Sequence, residues 1–477
     1  MKKKMTYKDI DLFISDDNMT AYIEFSNNNF SLNDILILLM KAKIVYGILD
    51  VNIKSMLEEK RINKKYLVAH GKEAKDEVWD KFEYFVCDDK NRSVIERDRE
   101  GKVDFKDLNL IENVVMEQVL IQRMLTKEGE QGKDIFGNII YPKVFKKEFP
   151  AGENTKIADY DDNLLVAAIN GHVYKCDGKI CVSDKYYIKG NVDYSTGNIV
   201  YLGDLYIYGD IKEGFSVQST GSIFLEGNCD KANVICGKDF IVKKGIIGAV
   251  GKKVKVNGIC KADYIENCEL ECKGEIKVKK YINHSHVICG DKIIIEKDPE
   301  IINMIVGGKV VVKNSIECDN IGNKFNTLTY IELGVDPFLK KKIENLKNLI
   351  EFYESKYFNL SSQLDFLIRF FNTPPEENID DNFIIKVDKL KERKKELEKS
   401  VPVLYNKIRN EQKNLKQLEA KFEKELKNTE VKYIKVRNEI YHGVKISIKG
   451  KYLDIQDKMH KCIIKLEKDT IKIEKME

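Results

Sequence analysis

The 477-residue chain has no long apolar run. Ile35-Leu-Ile-Leu-Leu-Met40 spans six residues and ends at Lys41 and Lys43, whereas a membrane-crossing helix needs about 20. The basic start, Met1-Lys-Lys-Lys-Met5, has no apolar stretch behind it and does not read as a signal peptide. A soluble, cytoplasmic protein is expected. Eleven cysteines contain no C-x-x-C pair, and their count is odd. Reduced thiols fit this better than a disulfide framework or a paired-cysteine zinc site. A surplus of one charge is missing as well. Lys and Arg number 81 against 77 Asp and Glu, a net +4, and the two signs interleave. That excludes a strong polyanion binder and gives no nucleic-acid stripe.

Local catalytic signatures are missing too. Asp291, Asp298 and Asp319 share no coil position and do not form the acidic cluster of a lyase-type site. Gly245-Ile-Ile-Gly-Ala-Val-Gly251 imitates a phosphate loop, but no Lys-Ser/Thr pair follows, and Lys252-Lys-Val begins a strand rather than a helix. No enzyme activity, cofactor or metal is expected.

What the chain does have is repetition. Gly221, Gly237, Gly258, Gly274, Gly290 and Gly307 start similar units at near-equal steps, and only the step from Gly237 to Gly258 is clearly longer. The surplus of that long step falls in the 244–251 stretch. Alternating apolar pairs follow the glycines: Ile223/Leu225, Phe240/Val242, Ile276/Val278, Ile293/Ile295 and Val310/Val312. Period two places each pair on one strand face. A unit this short cannot bury that face alone, so neighbours must stack and share a core. The reading is a parallel β-solenoid of eight or nine coils between residues 185 and 330, about 40 Å long at ~4.8 Å per coil. Its corner glycines are expected to need positive φ or a close backbone approach.

Cys236, Cys272 and Cys289 sit just before coil starts and should share one inward ladder as small hydrophobes. His284 and His286 alternate on one strand with Cys289 close by. Surface positions explain them better than metal ligation.

Beyond Leu333-Gly-Val-Asp-Pro337 the period changes. Ile343, Leu346, Ile350, Tyr353, Tyr357, Leu360, Leu364, Leu367 and Phe371 form a heptad seam that ends before Pro374-Pro375. A second seam runs through Leu390, Lys394, Leu397, Val401, Leu404, Ile408, Glu411, Leu415, Leu418 and Phe422. Pro402 is expected to kink or break it. An antiparallel hairpin satisfies both seams within one chain; pairing between chains, giving a homo-oligomer, is the alternative. Strand patterns return at 431–436, 443–449 and 462–466.

Residues 1–165 do not repeat. Met19–Phe25 reads as a strand, Ser31 as the N-cap of a helix through Ile35, Leu38 and Leu39, 51–57 as helical and 66–144 as β-rich. The expected domains are 1–165 (α+β), 166–335 (solenoid), 336–429 (coiled-coil hairpin) and 430–477 (β segments returning to the solenoid end).

Several segments together resemble the flagellar assembly protein A family of bacterial proteins. In the first half they are Asp17-Asn-Met-Thr-Ala21, Val68-Ala-His-Gly71, Gly101-Lys-Val-Asp104, Gly132-Lys-Asp-Ile-Phe-Gly137 with Gly129, and Ala151-Gly-Glu-Asn154. The rest are Gly190-Asn-Val192, Thr196-Gly-Asn-Ile199, Leu333–Pro337 and Ile440-Tyr-His-Gly-Val444. The resemblance implies an N-terminal domain, a right-handed parallel β-solenoid and a coiled-coil hairpin. It also implies a scaffold role, linked in some members to flagellar placement or assembly. The expectation is a non-catalytic adaptor with protein partners and no membrane insertion; a self-associating polymer or a solenoid enzyme are the alternatives.

Overall fold

The computed structural model describes residues 3–86, 111–297, 303–372, 381–427 and 432–476. The chain divides into two compact units, one from the N-terminal half through Ser183 and one from Asp184 onward, with residues 111–113 belonging to the second. Gly101–Asp104, Asp298 and Pro374-Pro375 lie outside the described residues.

The N-terminal unit opens with four antiparallel strands, Lys3–Tyr7, Ile10–Ile14, Thr20–Phe25 and Tyr66–His70, paired in chain order. Between the last two lie helices α1 (Leu32–Lys41) and α2 (Asp50–Glu59). Ser31 caps α1 reciprocally: its Oγ accepts the Asp34 N–H, and the Asp34 carboxylate accepts the Ser31 N–H at 2.9 Å. Ile35, Leu38 and Leu39 of α1 then share one core with Leu12, Ile23 and Phe25. A separate five-stranded sheet contains Glu77–Tyr84, Val119–Lys127 and Asp161–Ala167.

Here the expected boundary at 165 moves. Gly171–Cys176 and Lys179–Ser183 pair antiparallel, His172 opposite Ser183, and belong to the N-terminal unit rather than to the solenoid. Their alternation is the same in either pairing sense, so the strands read alike in sequence.

From Lys185 the chain winds into a three-faced parallel solenoid. On the first face Tyr186, Leu205, Ile223, Phe240, Cys260, Ile276, Ile293, Ile316 and Ile434 stand in one register. The second face stacks Val192, Ile211, Cys229, Ile246, Ile265, Ile282, Ile305, Ile321 and Ile440, every one fully buried. The third runs from Ile199 through Val217, Val234, Val254, Leu270, Val287, Val310 and Ile331 to Ile446. Eight rungs precede the helices and a ninth follows them, about 40 Å of stacking. The rungs differ in length: the one from Ile305 to Ile321 is short, and the one from Ile282 to Ile305 is long. Because extra residues leave at corners, Gly245–Ile247 stays in the second face while the chain after it loops out, with Val250 wholly exposed.

The last rung does not end in an open parallel edge. Met459–Glu467 pairs antiparallel with Tyr433–Ile440, Thr470–Lys475 pairs with Met459–Glu467, and Lys451–Asp454 turns back on Val444–Ile448. These strands close the end that would otherwise template another chain.

Candidate interaction site

The helices enter where a coil turns from its third face to the next first face. Ordinary coils make that corner in a few residues; here the step from Ile316 to Ile434 contains the whole insertion. The exit and return points are adjacent, since a Cβ on Gly334 would lie 3.7 Å from Lys432 Cγ. Asp336 caps α3 (Pro337–Asn372) by accepting the Phe338 and Leu339 N–H groups at 3.0 and 3.2 Å. Pro337 takes the first helical position, where it loses no hydrogen bond.

Ion pairs fasten the helical base to the third face. Glu332 accepts from Lys340 at 2.7 Å and from Lys309 at 3.2 Å. Lys341 reaches Glu271, three rungs back along that face. Lys313 lies 3.1 Å from Asp336 and 3.7 Å from Glu425. Burial pushes the Glu332 carboxyl up, but the bonds from Lys340 and Lys309 outweigh it and hold it below the usual range. A cleft of about 850 Å³ between base and solenoid is lined by Tyr330, Phe422, Leu426, Lys445 and Tyr452.

α4 (Asp381–Lys427) folds back antiparallel on α3 within the same chain. Lys347 pairs with Glu419 at 2.8 Å, Gln412 donates to Glu354 at 2.9 Å, and Arg393 donates to Gln363 at 3.4 Å. Ile350, Leu367, Leu397, Val401 and Ile408 are buried between the helices. Ile343, Leu346, Leu360, Leu364, Leu404, Leu415 and Leu418 are half-buried beside them. Of the two outcomes expected at Pro402, a break does not occur: α4 is continuous through it. Packing of the seam on both sides, at Val401 and Leu404, holds the helix through the missing N–H.

The coil-start glycines divide into two groups. Gly221, Gly237, Gly258, Gly274 and Gly290 lie at the corner between third and first faces, without positive φ. Close approach explains them: a Cβ on Gly237 would come 2.1 Å from the Thr220 carbonyl oxygen, and one on Gly290 2.2 Å from that of Lys273. Gly307 is different. Its φ is +69° and it turns the corner from second to third face, next to the His284 ring. His284 and His286 are both exposed, whereas Cys289 points inward, so the strand does not bring the three together. Asp291 accepts from Asn314, and Asp319 from Arg437. Among the described residues no group of three or more His, Cys, Asp or Glu is placed to hold a metal ion.

Cys236, Cys272 and Cys289 do occupy one inward column, with Val256 between the first two. Each thiol donates to a corner carbonyl one coil back: Cys236 to Gly221 at 3.4 Å, Cys272 to Gly258 at 3.1 Å, Cys289 to Gly274 at 3.3 Å. Burial pushes the Cys236 thiol up to about 11 and Cys272 to about 12. Sequence reasoning missed a second ladder. Asn191 Oδ1 accepts the Asp210 N–H, Asp210 Oδ1 the Asn228 N–H, and Asn228 Oδ1 the Gly245 N–H. Asn191, Asp210 and Asn228 fall one per coil, a regularity that shows only once the rungs are aligned.

No helix among the described residues is long and apolar enough to cross a membrane. Two family models match the chain: the flagellar assembly protein A N-terminal region over residues 10–178 and the flagellar assembly protein A β-solenoid domain over 184–471. No curated protein and no solved structure matches it. Together the two matches cover both units from the first sheet to the closing strands, and the chain belongs to the flagellar assembly protein A family.

Proposed function

We propose that this chain is a non-catalytic adaptor in flagellar assembly or placement. In this reading the solenoid is a rigid mount and the helical hairpin engages another protein. The observation that carries it is the fastening of the hairpin base to the third face through Glu332, Glu271 and Lys313, which gives an exposed pair of helices a fixed direction on a stiff rod. The family name supports the flagellar setting. The polymer alternative is disfavoured by the antiparallel strands after Ile448, because a closed end offers no parallel template. The test compares partners captured by the full chain with those captured by a version lacking 338–428, a deletion that the adjacency of Gly334 and Lys432 accommodates. Loss of partners only in the shortened form supports the reading; an unchanged set contradicts it.

A further inference from the structure

We infer that one flank of the hairpin is a groove for an acidic amphipathic helix of a partner protein, an inference that rests on the adaptor reading. The two flanks differ. On one, Lys347 meets Glu419 and Gln412 meets Glu354, so polar pairs bridge the helices. On the other, Leu349, Phe352, Phe366 and Phe370 of α3 and Val403 of α4 stand in solvent, with Phe352 61%, Phe366 65% and Val403 68% exposed.

These five residues share one side. Positions 349, 356, 363 and 370 each immediately precede a seam residue, and 352 and 366 fall three beyond 349 and 363 in the same stripe. The Arg393–Gln363 bond, and a groove of about 430 Å³ that places Leu349 beside Asn414 and Gln417, put the matching stripe of α4 on this side. Gln412 lies opposite Glu354 and Arg393 opposite Gln363, so Val403 falls across from the gap between Phe352 and Phe366. The stripe from 349 to 370 is about 32 Å long at 1.5 Å per residue, enough for a helix of about 20 residues. The exposed apolar residues of α3 recur at steps of three, 14 and four along this stripe, the kind of one-sided surface on which a helix docks.

Charge selects the occupant. This flank carries Lys342, Lys356, Lys389, Arg393 and Lys407, against Glu396, paired with Arg393 at 3.1 Å, and Glu411, which accepts from Asn414 at 3.0 Å. A second copy docked flank to flank would bring like charges together. A helix with glutamates beside its apolar stripe would meet opposite ones.

The test uses the full chain and two labelled peptides, each about four heptads long with the same leucine stripe, one flanked by glutamate and one by lysine. Fluorescence anisotropy should show the glutamate peptide bound about tenfold more tightly, a gap of ~1.4 kcal/mol. Phe352→Ser/Phe366→Ser should abolish binding with an unchanged melting curve, and Lys356→Glu/Lys407→Glu should reverse the preference. Equal affinity for both peptides, or undiminished binding by the serine variant, overturns the inference. So does a full-chain dimer that the serine variant dissolves, since a second copy would then fill the groove. If deleting 338–428 removes cellular partners but the serine variant keeps them, the adaptor reading stands and this flank is the wrong surface.

Discussion

The side-chain amide of Asn113 donates to the Val200 carbonyl at 2.8 Å, and its Oδ1 accepts the Leu202 N–H at 3.0 Å. One side chain thereby satisfies two backbone groups of the first rung's third face, as a neighbouring strand would. Asn113→Ala leaves both without that partner. We expect a loss of about 1–2 kcal/mol in urea unfolding of the solenoid. Asn113→Asp, which keeps the acceptor but not the donor, should fall between.

The second-face column makes a sharper prediction. Ile265 and Ile282 are fully buried in consecutive rungs, so truncation leaves a cavity between layers that cannot close without shifting the ladder. Ile282→Ala should cost about 2–5 kcal/mol. Ile235→Ser, on the outer side of the third face and 44% exposed, should change stability by no more than ~0.5 kcal/mol. Equal effects at the two sites would contradict the shared interior.

The thiols offer a chemical check. Cys176 is exposed, while Cys236, Cys272 and Cys289 are buried and their thiols are held protonated by burial. Brief iodoacetamide treatment of the folded chain near neutral pH should label Cys176 and spare these three, read by peptide mass spectrometry. In denaturant all four should react. Labelling of Cys272 in the folded state would show that the column opens to solvent.

Acid should weaken the N-terminal unit through Asp34. Hydrogen bonds from Lys8 Nζ, then from the Ser31 hydroxyl and N–H, hold its carboxyl at about 2. A carboxylate depressed in the folded state stabilises above its unfolded value, about 3.9, and that stabilisation is lost as pH falls towards 2. Melting temperature followed from pH 5 to pH 2 should drop less steeply in Asp34→Asn than in the parent.

Much of this architecture was legible in the residues. Ile223/Leu225 and Ile276/Val278 alternate because a solenoid strand buries one face, and their pairs do line the first face. Ile350 and Leu397 fall on heptad seams because two helices meet along them. The Cys236, Cys272 and Cys289 column followed from their place one or two residues before a coil-start glycine. Other features left no such trace. Gly307 follows Gly290 at nearly the usual interval yet serves another corner, since an interval says nothing of phase. Residues 171–183 alternate identically in parallel or antiparallel pairing. Asn191, Asp210 and Asn228 are ordinary turn residues until the rungs align them. Phe352 and Phe366 stood outside the seam and carried no signal until the helix faces were placed.

The most direct test of the capped, mounted solenoid is its behaviour with concentration. Sedimentation velocity with negative-stain electron microscopy, across about a hundredfold dilution series, should show particles of constant length. Filaments that lengthen as the protein is concentrated would contradict the account, because they require a parallel edge that Asn113 and the strands after Ile448 are assigned to cover.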